Sequence, residues 1–323
     1  MTIKHLVISG GGPTMIHVLA AVQKAESLGH VHLDNIESVY GTSAGAVIGT
    51  MLCLKFDWGA INDYILDRPW QDVFPIKLQT FIDAFYSKGL FGRDTIKQCF
   101  ASLFAAKNIE LDISLDEFYK YCGVEQHFFA FDVSTFQLVD LSYKTHPKMS
   151  LMTALHATCA IPILFSPVCD GDRCYIDGGI TCNYPMRQCR AQKTNDDEIM
   201  GFKNTYGVGP GNELDLPFYI QSIGKTTNIL EYGLNFIINL VTRLDPTSNN
   251  ARAEAAGGIV REILFTPPKV SIEFYKRALS SSTVRRQLFA SGGESARGCC
   301  EGFSTGPLKQ QPLPSDIHEL YII

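Results

Sequence analysis

The chain has 323 residues, of which 46% are hydrophobic, and a formal charge of −5, so it can bury a large core and has no basic surface for nucleic acid. Its 10 cysteines are scattered without zinc-site spacing, and no apolar run is long enough to span a bilayer. With no signal peptide in view, these features predict a cytoplasmic protein with reduced thiols and no bound metal.

The N-terminal segment predicts a strand, a glycine-rich loop and a helix. Residues 4–9 form a buried strand, and Gly10, Gly11 and Gly12 follow directly. Pro13 then suits the first turn of a helix. The loop matches neither a dinucleotide fingerprint nor a P-loop. Its bare N–H groups at the end of a strand suit an oxyanion hole, although an ordinary tight turn would use the same glycines.

A second strand, near residues 36–40, runs into Gly41-Thr42-Ser43-Ala44-Gly45 and then into an apolar helix face. Gly41 and Gly45 remove the Cβ atoms that would clash in a sharp strand-to-helix turn, which leaves Ser43 exposed at the first helical turn. This pattern predicts a nucleophile elbow. The competing interpretation is an ordinary glycine-rich helix start capped by the serine. Two successive strand–helix units predict a parallel sheet.

The middle of the chain predicts a helical region and a strand pair. Residues 55–120 are rich in aromatic side chains, which are expected to form core, with an acyl-chain channel as the alternative. Residues 89–92 are predicted as a turn. Residues 128–133 and 137–141 are predicted as paired strands.

The segment from 151 to 185 predicts a helix, short strand pieces and a second glycine-rich turn. Asp177 ends an apolar strand and precedes Gly178 and Gly179. A carboxylate at this position can point into a cleft. A simple Asp-Gly turn explains the same residues without any function.

The glycine loop, the elbow and the Asp-Gly-Gly turn, in this order, resemble the three motifs of the patatin-like phospholipase family. Secondary motifs also match at residues 157–162, 165–168 and 183–185. The resemblance is close over residues 4–187 and looser to about residue 293.

The resemblance implies a three-layer α/β/α fold with a central, mostly parallel sheet. It also implies hydrolysis of phospholipids or related acyl lipids through a Ser43–Asp177 dyad, without a cofactor, a metal or calcium. Ser43 would be the nucleophile, Asp177 the general base, and Gly10, Gly11 and Gly12 the oxyanion hole. The remaining motif glycines would shape the supporting turns: Gly41, Gly45, Gly178 and Gly179. Transient contact with a membrane surface is also expected.

One departure from the family pattern concerns the glycine loop. The family usually has an arginine or lysine and then a glycine where this chain has Thr14 and Met15. The enzyme is therefore expected to be slow. A catalytically weakened lipid-binding or interaction protein stays open as the alternative. A histidine-dependent hydrolase would need His318, since His17 and His156 are predicted to be structural.

The C-terminal part is less informative. Residues 228–244 predict an apolar helix of the core or cap, with docking on a lipid surface as the alternative. Residues 263–265 predict a strand, and residues 271–290 a helix whose solvated side carries Arg277, Arg285 and Arg286. The catalytic domain is predicted over residues 1–300, with a cap-like insertion at about 55–120 and a C-terminal tail at 301–323.

Overall fold

The computed structural model describes residues 2–205 apart from 76 and 194, and residues 229–244, 261–265 and 272–303. Its strands are His5–Ile8 (β1), Ser38–Thr42 (β2), Gly89–Phe91 (β3), Glu125–Asp132 (β4), Gln137–Leu141 (β5), Ile163–Phe165 (β6), Val168–Asp170 (β7), Arg173–Asp177 (β8), Ile199–Asn204 (β9) and Arg261–Phe265 (β10).

Its α-helices are Met15–Ser27 (α1), Ala44–Cys53 (α2), Trp58–Asp67 (α3), Trp70–Val73 (α4), Leu78–Ser87 (α5), Arg93–Ala106 (α6), Leu115–Cys122 (α7), Leu151–Cys159 (α8), Met186–Gln192 (α9), Ile229–Leu244 (α10), Ile272–Ser280 (α11) and Ser282–Phe303 (α12). Short 3-10 helices cover Gly12–Thr14, Leu33–Asn35, Gly178–Ile180 and Asp196–Glu198. None of the described helices has the length and apolar content needed to cross a bilayer.

The central sheet is mostly parallel. Strands β10, β9, β1, β2 and β4 lie side by side in that order, all parallel. Every residue of β1, β2, β4 and β9 is buried. Burial of both faces of a strand is typical of a parallel sheet that is covered by helices on each side. Strands β5 and β8 pair antiparallel with β4, and β7 pairs antiparallel with β8.

Successive residues of the central strands face opposite layers of helix. Leu6 and Val39 belong to the larger core with α1, α2 and α8, whereas Val7, Tyr40 and Phe129 pack against residues of α9. Helix α12 joins the larger layer by packing on α1 and β10. The predicted three-layer fold with a mostly parallel central sheet is therefore confirmed.

Residues 89–92 were predicted as a turn, and this prediction is wrong for the first three. They form β3, which pairs in parallel with β6 as a separate two-stranded sheet. A Cβ on Gly89 would lie 2.2 Å from the carbonyl carbon of Phe165, so glycine is required by close backbone approach. Pairing with a strand over 70 residues away cannot be read from local sequence.

The helix predicted over residues 271–290 is broken at Ser281 into α11 and α12. Arg285 was predicted on the solvated side but is only 3% exposed. Its guanidinium donates hydrogen bonds to backbone carbonyls at the ends of α3 and α11, which lack partners within their helices: Leu66, Arg68, Ala278 and Leu279. The domain boundary predicted at residue 300 falls inside α12, and the residues after Phe303 lie outside the described ones.

The expectation that all thiols are reduced is wrong for one pair. A disulfide joins Cys169 and Cys174, which are direct partners across the β7–β8 hairpin. Six further cysteines are free thiols: Cys53, Cys99, Cys122, Cys159, Cys189 and Cys300.

A buried cluster of charged groups lies at the start of β4. His127 Nδ1 is 2.7 Å from Asp140 Oδ2, and its Nε2 is 3.2 Å from Glu125 Oε1. Lys144 and Lys193 also contact Glu125. Burial opposes protonation of His127, but the two carboxylates outweigh it and raise the pKa of the imidazole. Hydrogen bonds from His127 and the two lysines lower the pKa of Glu125.

Because the folded-state pKa of His127 is raised, its ion pairs stabilise the fold fully below the ordinary histidine pKa and are lost as pH rises through the raised value. We expect His127→Gln to lower the free energy of unfolding by about 3–5 kcal/mol at pH 5.5, and by less at pH 9. Urea unfolding at both pH values measures this. The control is His146→Gln, whose imidazole has a lowered pKa. An equal loss at both pH values for His127→Gln would contradict the prediction.

Candidate active site

Ser43 lies in a sharp turn between β2 and α2. Its backbone has φ 53° and ψ −125°, a left-handed conformation that is strained for a residue with a Cβ. Only 5% of the residue is exposed, so the prediction that the turn leaves Ser43 exposed is wrong. A Cβ on Gly41 would lie 2.6 Å from the Ala46 nitrogen, and one on Gly45 would lie 2.3 Å from the carbonyl oxygen of Ile8. The two glycines thus allow the turn to close and α2 to rest on the end of β1.

Thr158 holds the strained turn from α8. The Ser43 N–H donates to Thr158 Oγ1 at 2.9 Å, and this hydroxyl donates to the carbonyl of Phe129 at 2.6 Å. All three residues are buried. Sequence analysis did not identify this role, because a threonine near the end of a helix carries no signal for a contact 115 residues away.

The register of β4 explains why Asp177 lies near Ser43. Phe128 pairs with both Gly41 and Leu141, so β2 and β5 occupy opposite edges of β4. Pairing of β8 begins at Ala130, one residue beyond the last partner of β2, and shares residues with β5. Strand β8 therefore takes over the edge that β2 leaves, running the opposite way. Asp177 pairs with Ala130 and therefore lies next to Ser43, the residue that follows β2.

The Asp177 carboxyl is buried without a neighbouring positive charge. Its Oδ1 accepts a hydrogen bond from the Gly179 N–H at 2.7 Å, and its Oδ2 is buried with no hydrogen-bond partner. Burial raises the pKa of Asp177 to about 7, while the Ser43 hydroxyl and the Gly179 N–H act against the rise. The Ser43 hydroxyl is thus close enough to affect the pKa of Asp177, although Oδ2 has no hydrogen-bond partner.

The glycine loop borders Ser43. A Cβ on Gly10 would lie 3.1 Å from the Ser43 Cβ, so loop and elbow are in contact. Gly12 has φ +55°, and a Cβ there would meet the hydroxyl of Tyr275. The N–H groups of Gly11 and Gly12 have no acceptor among the described residues. Two free backbone donors therefore belong to the loop that contacts Ser43.

The histidines of the described region take no part in the hydrogen bonds of Ser43 and Asp177. Burial lowers the pKa of His17 and of His156 to about 4, so both are neutral. Within the described residues, no hydrogen bond joins a histidine to Ser43 or Asp177. His318 lies outside that part of the chain. No group of three or more His, Cys, Asp or Glu in the described ranges is arranged to hold a metal ion.

A cavity of about 320 Å³ opens at the opposite end of the sheet from Ser43. It is lined by residues before β2 and β4 and by the start of α3, among them Ile36, Val124 and Trp58. In a parallel sheet the carboxyl ends of the strands carry the chemistry. This cavity therefore does not serve the Ser43 site.

The arrangement combines the parts that acyl transfer requires. A hydroxyl on a strained turn faces a carboxyl whose pKa is near neutral, and free N–H donors lie beside them. Such a set can deprotonate the hydroxyl, attack a carbonyl and stabilise the resulting oxyanion.

Comparison with known proteins gives consistent findings. The profile of the family described as patatin-like phospholipase matches residues 6–190. The probable lipid hydrolase 463L of Invertebrate iridescent virus 6 is 25% identical over 185 residues, which cover 57% of this chain and 62% of that protein. YqhO of Bacillus subtilis (strain 168) is 26% identical over 198 residues, covering 56% of this chain and 64% of YqhO. The matched region is thus under two thirds of the length of either relative.

Two solved structures also align with the chain. VipD from Legionella pneumophila aligns with a TM-score of 0.48 and 16% identity, covering 90% of this chain and 67% of VipD. ExoU of Pseudomonas aeruginosa, in complex with SpcU, aligns with a TM-score of 0.39 and 16% identity, covering 92% of this chain and 52% of ExoU.

Gly45 provides a test of the packing beneath the elbow. Its φ suits any residue, so an alanine there changes only the contact with β1. We expect Gly45→Ala to lower the free energy of unfolding by about 1–3 kcal/mol or more, because the added methyl group meets fixed backbone. The matched control, Gly298→Ala in α12, has open space and should gain about 0.5–1 kcal/mol. Chemical denaturation measures both. A Gly45→Ala variant as stable as the parent would rule out this contact.

Proposed function

The chain belongs to the patatin-like phospholipase family, and from this premise we propose that it is a serine lipid acyl hydrolase acting on phospholipids or related acyl lipids. The proposal rests on one observation. The strained Ser43 adjoins the buried Asp177 carboxyl, whose Oδ2 lacks a hydrogen-bond partner and whose pKa is about 7. A structural carboxyl would normally be fully hydrogen-bonded, whereas a general base must keep an oxygen available.

The proposed reaction has two steps. Ionised Asp177 takes the proton from Ser43, which attacks the ester carbonyl, and the N–H groups of Gly11 and Gly12 donate to the oxyanion. The tetrahedral intermediate expels the alcohol, which receives the proton from Asp177, and an acyl-enzyme remains. Asp177 then takes a proton from a water molecule that attacks the acyl-enzyme. The bond between the acyl group and Ser43 Oγ breaks, the fatty acid leaves, and Asp177 returns the proton to Ser43. Gly41, Gly45, Gly178 and Gly179 support the two turns, and residues 1–300 form the proposed catalytic domain, with 55–120 as its cap-like part.

The alternative is a lipid-binding or interaction protein that does not catalyse. Labelling with a fluorophosphonate probe, followed by peptide mapping, separates the two functions. An enzyme should be labelled at Ser43 and unlabelled in Ser43→Ala. If Ser43 is unlabelled and no ester is hydrolysed, the binding function is favoured. The assays should contain excess EDTA, since we propose catalysis without a metal; activity restored only by Ca²⁺ would contradict that part.

Asp177 should set the pH dependence of the reaction. Because the base must be ionised, kcat/KM should rise with pH through an apparent pKa of about 7. Asp177→Asn keeps the Gly179 hydrogen bond but removes the proton acceptor, so its rate should fall about 10²–10⁴-fold. Glutamine variants of His17 and His156 are the controls and should keep most activity. A histidine variant that loses as much as Asp177→Asn would contradict the dyad.

The same variant should be more stable than the parent at neutral pH. The raised pKa means that the folded state holds a proton that the unfolded state has released between about pH 4 and 7, so this group destabilises the fold increasingly as pH rises across that range. Asp177→Asn should therefore raise Tm by about 2 °C or more at pH 8, and by less at pH 4.5. Thermal unfolding at the two pH values measures this; a lower Tm at pH 8 would contradict it.

We also propose that an apolar rim docks the enzyme on a lipid surface. The rim comprises exposed side chains of α5 and α10: Ile82, Phe85, Tyr86, Ile229, Tyr232 and Phe236. Helix α5 contacts β3, and α10 contacts both β6 and the 3-10 helix that follows Asp177. Lys77 and Lys88 flank α5. Apolar and aromatic side chains beside basic residues, next to the site, suit an anionic membrane interface.

The rim can be tested with Phe85→Gln, a side chain that is 92% exposed. Losing one buried Phe should weaken binding to phosphatidylglycerol-containing vesicles about tenfold, because burial of such a side chain contributes about 1.5–3 kcal/mol. Hydrolysis of a soluble short-chain ester should not change. Phe136→Gln, an aromatic residue 79% exposed in the β4–β5 turn, is the matched control. Equal vesicle binding by both variants in a sedimentation assay would refute the rim.

A further inference from the structure

Two carbonyls of the glycine loop accept hydrogen bonds from polar side chains. Asn183 Nδ2 donates to Gly10 O at 3.5 Å and the Thr14 N–H donates to Gly11 O at 3.2 Å, and two further side-chain donors add to these. Asn204, the last residue of β9, donates from Nδ2 to Gly10 O at 2.9 Å and to Thr14 Oγ1 at 3.1 Å. Thr14 Oγ1 in turn donates to Gly11 O at 2.9 Å. The backbone N–H of Asn204 donates to Ser9 Oγ at 2.9 Å. The loop is thus tied to β9 by a continuous chain of hydrogen bonds.

The number of available protons determines which group donates in each of these hydrogen bonds. The Thr14 hydroxyl has one proton, which it gives to Gly11 O, so it can only accept from Asn204. Gly10 O can also only accept. Residue 204 serves both positions with the two donors of its amide NH₂ group, and a carboxylate or a hydroxyl there could not supply them.

Stability alone does not explain the asparagine. Thr14 is fully buried and Asn204 is 2% exposed, so water cannot replace their hydrogen bonds. Asn204 Oδ1 is buried without a partner, which costs stability. An apolar side chain would avoid that cost but would remove a donor from the buried Gly10 O and Thr14 Oγ1, so the role of the residue lies in what its NH₂ group does to the loop.

Peptide geometry connects the carbonyls to the free donors. The C=O and N–H of one trans peptide unit point in opposite directions, and no described peptide bond is cis. Holding Gly10 O towards Asn204 aims the Gly11 N–H away from it. Holding Gly11 O towards Thr14 does the same for the Gly12 N–H. These are the two N–H groups that lack an acceptor beside Ser43.

We propose that Asn204 and Thr14 are positioning residues, which aim the Gly11 and Gly12 N–H groups at the oxyanion without touching the substrate. This inference rests on the proposed hydrolase function. Two neutral side chains that do not contact the substrate thus preorganise the N–H donors.

The test compares Thr14→Val, which removes the hydroxyl at nearly constant shape, with Thr14→Ser, which keeps it. For Thr14→Val, kcat on a soluble ester should fall about 10–100-fold with KM within about twofold, less than the roughly 10²–10³-fold cost of deleting an oxyanion donor. Thr14→Ser should recover most of the rate. Thr50→Val is the matched control, since Thr50 is fully buried and donates to Ala46 O at 3.0 Å.

Labelling kinetics separate misdirected donors from a damaged fold. With a fluorophosphonate, Thr14→Val should label Ser43 completely but with a rate constant lowered about 10–100-fold. A merely structural role would lower the labelled fraction or Tm and leave the rate constant of the folded protein unchanged, which would overturn the inference. If Thr14→Val does not fold, Thr14→Ala and Asn204→Leu carry the same test. Failure of the parent protein to label at Ser43 would instead refute the proposed function.

Discussion

The shared edge of β4 is the constraint on which the rest of the site depends. Strand β2 leaves that edge at Phe129, and β8 takes it from Ala130 in the opposite direction. A parallel strand and an antiparallel strand therefore end facing each other, and each continues into a glycine-rich turn. Ser43 and Asp177 lie close together because β2 and β8 both end at the same edge of β4, although 134 residues separate them in sequence.

In the proposed reaction, this closeness allows the Asp177 carboxyl to act on Ser43 with few other groups. The interior around Asp177 offers one N–H and one nearby hydroxyl, and it offers no cation. Desolvation then dominates and brings the pKa to the range in which a carboxylate can accept a proton from a serine. The same desolvation weakens the fold at neutral pH. The hydrogen bond from the Ser43 N–H to Thr158 Oγ1 stabilises the turn locally.

What the sequence predicted correctly was local. Gly41 and Gly45 around Ser43, and Gly178 and Gly179 after Asp177, mark turns whose shape is set within a few residues, so motif and strand positions could be inferred. The features that it did not predict depend on contacts between residues far apart in the sequence. Arg285 at the ends of α3 and α11, and Asn204, 190 residues after Thr14, act through contacts that local patterns do not encode. The strand β3 was missed for the same reason, since its partner β6 lies far along the chain.

The departure at Thr14 takes on a physical meaning once these distant contacts are known. In the proposed reaction, a buried cation beside the glycine loop would attract the oxyanion, but it would also lower the pKa of the Asp177 carboxyl and weaken it as a base. Asn204 and Thr14 orient the peptide groups by hydrogen bonds alone and add no net charge. A neutral loop therefore preserves the near-neutral pKa that desolvation gives Asp177. Orientation of the donors and strength of the base can then be set independently, by separate groups.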